Sequence, residues 1–360
     1  MTRVLFIVNG LGLGNSTRCH SVIQSLHERG AKISVATSGN GLWYFGDRPE
    51  FDKLIELQSL HYGDVNGKIS IAKTILSVPQ MVGVLKSNAR ILMQILKKDR
   101  PDVVVTDSEY SFRPMKRLGI PIVALNNSDV VVQSFKKIAT KPNTIRSQFY
   151  TVEYTDYLYH RTIPDRVLSP TLEPNLSGIN GQFHRIAPIV RRECHARAYS
   201  DKPARVVIML SGSVFGSPVR LSNKKFPFHI DVLGRSAPSD YHDREGITYH
   251  SKVKESLEIL ASADLVIING GFSAVSEAFV MKKPMLVIPV PRHAEQWING
   301  ETIRKLGVGT TTDEENLENA MIEAFDSIGE FQQAYAKLPV IRNGATEAAD
   351  EILRFIRTFS

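Results

Sequence analysis

Three times in this chain a short, unbroken apolar run ends in a turn of small residues. The first is Val4–Val8, followed by Gly10–Gly14. The second is Arg205–Leu210, followed by Ser211-Gly212-Ser213. The third is Asp264–Asn269, followed by Gly270-Gly271. Helical spacing takes over after the first and third, over about Ser16 to Arg29 and about Ser273 to Met281, and Gly30 stops the former. Runs that are apolar without alternation are strands buried on both faces, which means parallel strands covered by helices on either side. Lys32–Thr37, Asp102–Thr106, Ile120–Leu125 and Met285–Pro289 read as further strands of the same kind. The class is therefore α/β, with doubly wound, Rossmann-like sheets.

A chain of 360 residues is too long for one small core and suits two such domains. The stretch from Leu168 to Pro203 is rich in Pro, Gly, Asn and Arg and has weak periodicity. It divides the chain into an N-terminal domain over 1–185, a linker over 186–203, a C-terminal domain over 204–340 and a last helical segment over 341–360, with apolar residues at helical spacing from Thr346 to Thr358. No short-period repeat or low-complexity tract interrupts this plan.

Composition removes several classes. Cys19 and Cys194 lack the spacing of a metal site and make a poor disulfide framework, which reads as a reducing, cytoplasmic setting. No run of about 18 apolar residues is present, so no spanning segment is expected. The net charge of +7 is uneven: 23 Lys/Arg against 15 Asp/Glu in residues 1–190, and 21 against 22 afterwards. Between Val65 and Arg100 lie seven basic residues and one acid, Asp99, among many Ile, Leu, Val and Met. That pattern is a helix with a solvated basic face, or one lying at an anionic membrane surface. No nucleic-acid recognition motif accompanies it.

The chemistry-bearing residues sit at the turns. Gly12 and Gly14 allow a tight turn and close backbone approach, and the helix that follows offers free N–H groups to an anion or a sugar. A plain strand-to-helix turn would look the same, and no correctly spaced third glycine makes it a dinucleotide fingerprint. Gly212 and Ser213 are placed to cradle a diphosphate. Gly271 and Ser273 open a helix on which Glu277 lies one turn further along, where a carboxylate can accept both hydroxyls of a ribose or simply complement the helix dipole. Beyond the next strand, Glu295 and Gln296 can hydrogen-bond sugar hydroxyls, or cap the helix they begin. Of the histidines, His20 and His27 fall on the first helix, and only His293 sits at a strand end in a ligand-facing position.

Taken together, these residues resemble the glycosyltransferases of the GT-B fold, and most closely the MurG-like group. The likeness covers nearly the whole chain and is most specific from Asp264 to Asn299. It implies two Rossmann-like domains facing a cleft, with the final helix crossing back to the first. It implies that Glu277 holds the ribose of a uridine nucleotide and that the Val253 backbone meets the base. Gly212, Ser213, Gly271, Phe272 and Ser273 would line the diphosphate, and His293, Glu295 and Gln296 would face the donor sugar. The implied activity is transfer of a hexose-type sugar from a nucleotide-diphosphate sugar, most simply a UDP-sugar, to a hydroxyl acceptor, lipid-linked or anionic, with inversion. No separate cofactor and no metal are implied, and no Asp-x-Asp pair is present. Peripheral contact with the inner membrane face is expected.

Two positions depart from the group. Asn15 stands where relatives carry His, and an amide takes no proton near neutral pH. Asp107 and Glu109, at the end of a strand, are then the best carboxylates for the base, although either residue could instead cap a helix. Glu295 stands where Gln is frequent. A nucleotide-sugar hydrolase or 2-epimerase of the same fold, a non-catalytic nucleotide-sugar binder and an α/β domain pair with no sugar role are the competing readings.

Overall fold

In the computed structural model the chain is described except at residues 60–63, 66–67, 70, 174–177, 211–218, 240–244, 251–252, 254–255 and 360. Gly212 and Ser213 therefore lie outside the described residues. The first half runs β1 (Arg3–Val8), α1 (Leu13–Glu28), β2 (Lys32–Thr37), α2 (Asn40–Phe45), β3 (Lys53–Glu56), a small ribbon of β4 (Asp64–Val65) and β5 (Lys68–Ile69), α3 (Ile71–Lys98), β6 (Val103–Asp107), α4 (Arg113–Leu118) and β7 (Ile122–Leu125). It continues with α5 (Ser128–Lys137), α6 (Asn143–Gln148), a π-helical turn (Phe149–Glu153), α7 (Tyr154–Thr162), β8 (Arg166–Pro170), β9 (Gly178–Asn180) and β10 (Phe183–Ile186). The second half holds β11 (Arg205–Met209), β12 (His229–Leu233), β13 (Ile247–Tyr249), α8 (Leu257–Ala261), β14 (Leu265–Ile268), α9 (Phe272–Val280), β15 (Met285–Val287), α10 (Ala294–Leu306), β16 (Gly309–Thr311), α11 (Leu317–Asp326), α12 (Ile328–Lys337) and α13 (Ala345–Ile356).

Two sheets result, as the apolar runs require. The first is ordered β3-β2-β1-β6-β7-β8-β10-β9 and is parallel apart from the antiparallel β9–β10 edge. The second is ordered β13-β12-β11-β14-β15-β16 and is parallel throughout. In each, the first strand lies inside the sheet and the chain goes to one side of it and then the other, so a crevice opens at the carboxyl ends of β1 and β6 and of β11 and β14. The turns at Gly10–Gly12 and Gly270-Gly271 follow β1 and β14 at these crevices. Gly10 shows how tightly the first is built: a Cβ there would lie 1.5 Å from the Ser38 carbonyl oxygen. Gly30, at φ +76°, ends the first helix as its position suggests.

Two cores flank the first sheet, one shared with α1 and the other with α3 and α4, and two more flank the second. The core beside α1 includes Ala345, Ala348, Ala349, Ile352 and Phe355, so the last helix of the chain is a structural part of the first unit. The strong amphipathic spacing of α13 is used there. Ile352 is completely buried, and Ile352→Val is expected to lower stability by about 0.5–1.5 kcal/mol, read from the urea unfolding midpoint. Residues 168–186, with little periodicity of their own, supply the end of β8 with β9 and β10 and extend the first sheet.

A separate apolar cluster joins the two halves. Val131, Val132, Phe135, Ile145 and Phe149 of the first pack on Ala294 and Ile298 of α10. Among the described residues no helix is long and apolar enough to cross a membrane.

Candidate active site

The facing crevices enclose a cavity of about 580 Å3. Its floor is the start of α9. Gly271 is the N-cap residue and has no side chain with which to cap, so the first-turn N–H groups are presented to the cavity, with the positive end of the helix dipole behind them. Gly270 makes this approach possible. Its φ is +79°, and a Cβ would meet the Gln296 carbonyl oxygen at 2.7 Å.

Glu277 lines the same cavity, one turn into α9, but is not a free carboxylate. Arg191 grips it with both arms of the guanidinium: Nε donates to Oε1 at 2.7 Å and Nη2 donates to Oε2 at 2.9 Å, while Nη2 also reaches Ser256 Oγ at 3.2 Å. Both residues are buried, with 7% and 5% of their surface exposed, and a bidentate pair in such surroundings has a fixed geometry. Carboxylate oxygens carry more lone pairs than Arg191 uses, so Glu277 can still accept ribose hydroxyls from the cavity side. Arg235, at the carboxyl end of β12, lines the cavity too and donates to Glu314 Oε1 at 2.9 Å. Arg191 and Arg235 were not legible as site residues. Each sits in a Pro- or Gly-containing stretch without a motif, and the pairing Arg191-Arg192 in the linker was the only signal.

The remaining donor-side residues divide. Val253, Gly14, Ser273 and Gln296 line the cavity, whereas Gly12 caps α1 at its rim. Ser273 Oγ donates to the Gly14 carbonyl at 3.0 Å and so stitches the two halves together at the cavity wall. Gln296 Oε1 accepts from the Val290 N–H at 2.9 Å, which fixes the loop before α10. Phe272 is a correction: its side chain is buried in the core behind α9, so only its backbone is available to a ligand. His293 is the N-cap residue of α10, its Nδ1 has no hydrogen-bond partner, and burial pushes its pKa down to about 4, so the ring is neutral. It does not line the cavity. His20 is buried against Tyr44 and Glu50, and His27 is exposed, so neither reaches the site.

The acceptor-side candidates need a larger correction. Asp107 is completely buried and saturated by Arg18, whose Nε donates to Oδ2 at 2.9 Å and whose Nη2 donates to Oδ1 at 2.7 Å. Cys19 Sγ and Ser108 Oγ add further donors. A carboxylate so engaged positions Arg18 and is no base for a substrate. It caps no helix either, because Phe112 is the N-cap residue of the next one. Glu109 folds back on its own loop, accepting the Ser111 N–H at 3.1 Å, and burial raises its pKa. Asn15 lies in the first turn of α1 and not on the loop before it, half-buried, with Arg18 Nη2 reaching its Oδ1 at 3.5 Å.

One carboxylate that the sequence did not single out comes close. Glu153 ends the π-helical turn, and Gln148 Nε2 donates to its Oε1 at 3.0 Å. Gln148 Oε1 in turn accepts the Ala294 N–H at 2.8 Å, so the amide bridges the two halves and brings Glu153 to the start of α10, beside Glu295. Burial and the Glu295 charge push its pKa up to about 8. Glu295 is raised as well, mainly by burial, with Asp156 and Asp107 adding to the effect and Arg18 opposing it.

Two Rossmann-like sheets facing a cleft, with an uncapped helix start on one side and a Gly-rich turn on the other, define the GT-B class of glycosyltransferase. The chain belongs to glycosyl transferase family 1, whose model matches residues 2–328, and within it is a MurG-like transferase enzyme. It is 24% identical, over 100% of this chain and 99% of the relative, to the UDP-N-acetylglucosamine--N-acetylmuramyl-(pentapeptide) pyrophosphoryl-undecaprenol N-acetylglucosamine transferase of Clostridium novyi. An uncharacterized glycosyltransferase of Methanosarcina acetivorans is 26% identical, covering 85% of this chain and 84% of that one. Among solved structures, the calicheamicin glycosyltransferase CalG4 superposes with a TM-score of 0.68 at 18% identity, covering 99% of this chain and 98% of that one. MurG of Acinetobacter baumannii superposes with a TM-score of 0.59 at 14% identity, covering 99% and 100%.

Proposed function

We propose that this glycosyltransferase takes a hexose-type sugar from a UDP-sugar and passes it, with inversion, to a hydroxyl of a lipid-linked or anionic acceptor. The observation that carries the donor half is the cavity at the start of α9, where free N–H groups, Arg191 and Arg235 face the same space as the Glu277 carboxylate. Cationic and dipolar groups there match a diphosphate, and a carboxylate one turn along the helix matches a pentose diol. In the transfer the acceptor oxygen attacks the anomeric carbon from the face opposite the leaving group. The bond to the diphosphate breaks and its electron pair leaves with the nucleoside diphosphate. The fixed helix dipole and the two guanidiniums stabilise that developing charge without reorganising. The relative from Clostridium novyi is named for a UDP-linked donor and a polyprenyl-pyrophosphoryl acceptor, which favours the same chemical classes here. A thermal-shift screen against nucleoside diphosphates tests the donor. UDP at 100 times its dissociation constant is expected to add about 2.7 kcal/mol of stability. No shift with any nucleoside diphosphate would remove the reading.

A further inference from the structure

With Asp107 saturated by Arg18, Glu109 turned to its own loop and Asn15 an amide, the transfer proposed above lacks an evident group to receive the acceptor proton. Glu153 and Glu295 reach the same point from opposite halves. The Gln148 amide is anchored on the Ala294 N–H and holds the Glu153 carboxyl at the first turn of α10, where the Glu295 backbone N–H also faces it. Glu295 occupies that turn and lies next to Gln296, which lines the donor cavity. Asp156 on α7 faces both carboxyls, while Arg18 on α1 and Asp107 on β6 face Glu295. Asn127, only 7% exposed, turns its side-chain amide toward the Glu295 carboxyl and favours its charged form. The π-helical turn that ends at Glu153 is a rare backbone form that occurs frequently at functional sites.

We propose that Glu153 and Glu295 form a proton-sharing carboxyl pair across the cleft, and that Glu153 accepts the proton of the acceptor hydroxyl during sugar transfer. As the acceptor oxygen bonds to the anomeric carbon, its O–H bond breaks and the proton passes to a Glu153 carboxylate oxygen, while the nucleoside diphosphate departs with the electron pair of the broken bond. This assignment rests on the donor reading and deepens it. A carboxyl that titrates close to neutral pH is suited to such a step, since a base is most effective when its pKa lies near the working pH.

Infrared difference spectra recorded from mildly acidic to alkaline pH read the pair directly. The wild type is expected to show a protonated carboxyl band lost with a midpoint near the value of about 8, and Glu153→Gln is expected to lack it. Release of UDP from a panel of UDP-hexoses, with water or simple alcohols as acceptor, is expected to fall at least about 10²-fold in Glu153→Gln and to lose its rise with pH. Glu153→Asp should retain that rise. Stabilisation by UDP should equal that of the wild type in both variants, which also shows that they fold. If the wild type has no such band, or if release is unchanged in Glu153→Gln while UDP still binds, the pair is wrong and the donor reading stands. If UDP fails to stabilise even the wild type, the donor reading falls instead. Should turnover be too slow to measure, the infrared band decides.

Discussion

Asp107→Ala is expected to cost the fold about 3–5 kcal/mol, the range found when one member of a buried ion pair is removed and the other stays behind. The magnitude follows from what is left. Arg18 has 6% of its surface exposed, and burial works against its charge, so Asp107 is the main group that keeps a guanidinium tolerable there, with Glu295 adding to it. Cys19 Sγ and Ser108 Oγ would also lose their acceptor. Replacing both partners with apolar residues of similar size, as in Arg18→Met with Asp107→Leu, should recover most of the loss, because no charge then remains unpaired. Chemical denaturation of the two single variants and the double variant measures this. A single variant within about 0.5 kcal/mol of the wild type would show that the pair is not held as described, since that is the scatter of ordinary surface substitutions.

Glu277→Ala is expected to have an effect of similar size on folding, about 3–5 kcal/mol, by stranding Arg191 at the cavity wall. It should also abolish stabilisation by UDP. The two effects are separable. Glu277→Gln keeps the side-chain volume and one acceptor oxygen for Arg191, so it should fold better than the alanine variant while still weakening UDP. Thermal shifts with and without UDP, taken on all three proteins, test the pair of expectations. A Glu277→Ala protein that gains as much from UDP as the wild type would mean that the carboxylate serves Arg191 alone. Arg191 then becomes the group whose replacement matters for the diphosphate.

Strands and helices were legible because each apolar run is buried on both faces. Lys32–Thr37 is a strand at the bounds its sequence suggests, and the helix read from Ser273 starts one residue earlier, at Phe272. Gly271 and Glu277 were found from the same logic, since a strand, a small-residue turn and a helix start are local and leave a local trace. Their partners were not found. Arg191 lies 86 positions from Glu277, and Arg18 lies 89 from Asp107, so nothing within a short window couples them. Asp107 looked like a free acid because its residue type and strand-end position are those of a catalytic carboxylate. Only the fold shows that an arginine from the first helix uses it up. Glu153 was invisible for the opposite reason. It sits in a polar helical stretch with no motif, and its environment is made by Gln148 and Glu295 meeting from two domains.

The chain passes between the two halves twice, near residues 187–204 and near 338–344, and these crossings run side by side. The Gly344 N–H donates to the Pro188 carbonyl at 2.8 Å, Asn343 Nδ2 donates to the Val190 carbonyl at 2.9 Å, and a Cβ on Gly344 would meet the Ala187 carbonyl oxygen at 2.0 Å. Two segments tied so closely act as the spine of a book. Rotation about that line opens the cleft at its far edge, whereas sliding or twisting of one cover over the other would tear the crossings apart. Arg191 sits on the spine itself and holds Glu277. The Arg191–Glu277 pair therefore barely changes with opening angle, while the far edge of the cleft sweeps the widest arc.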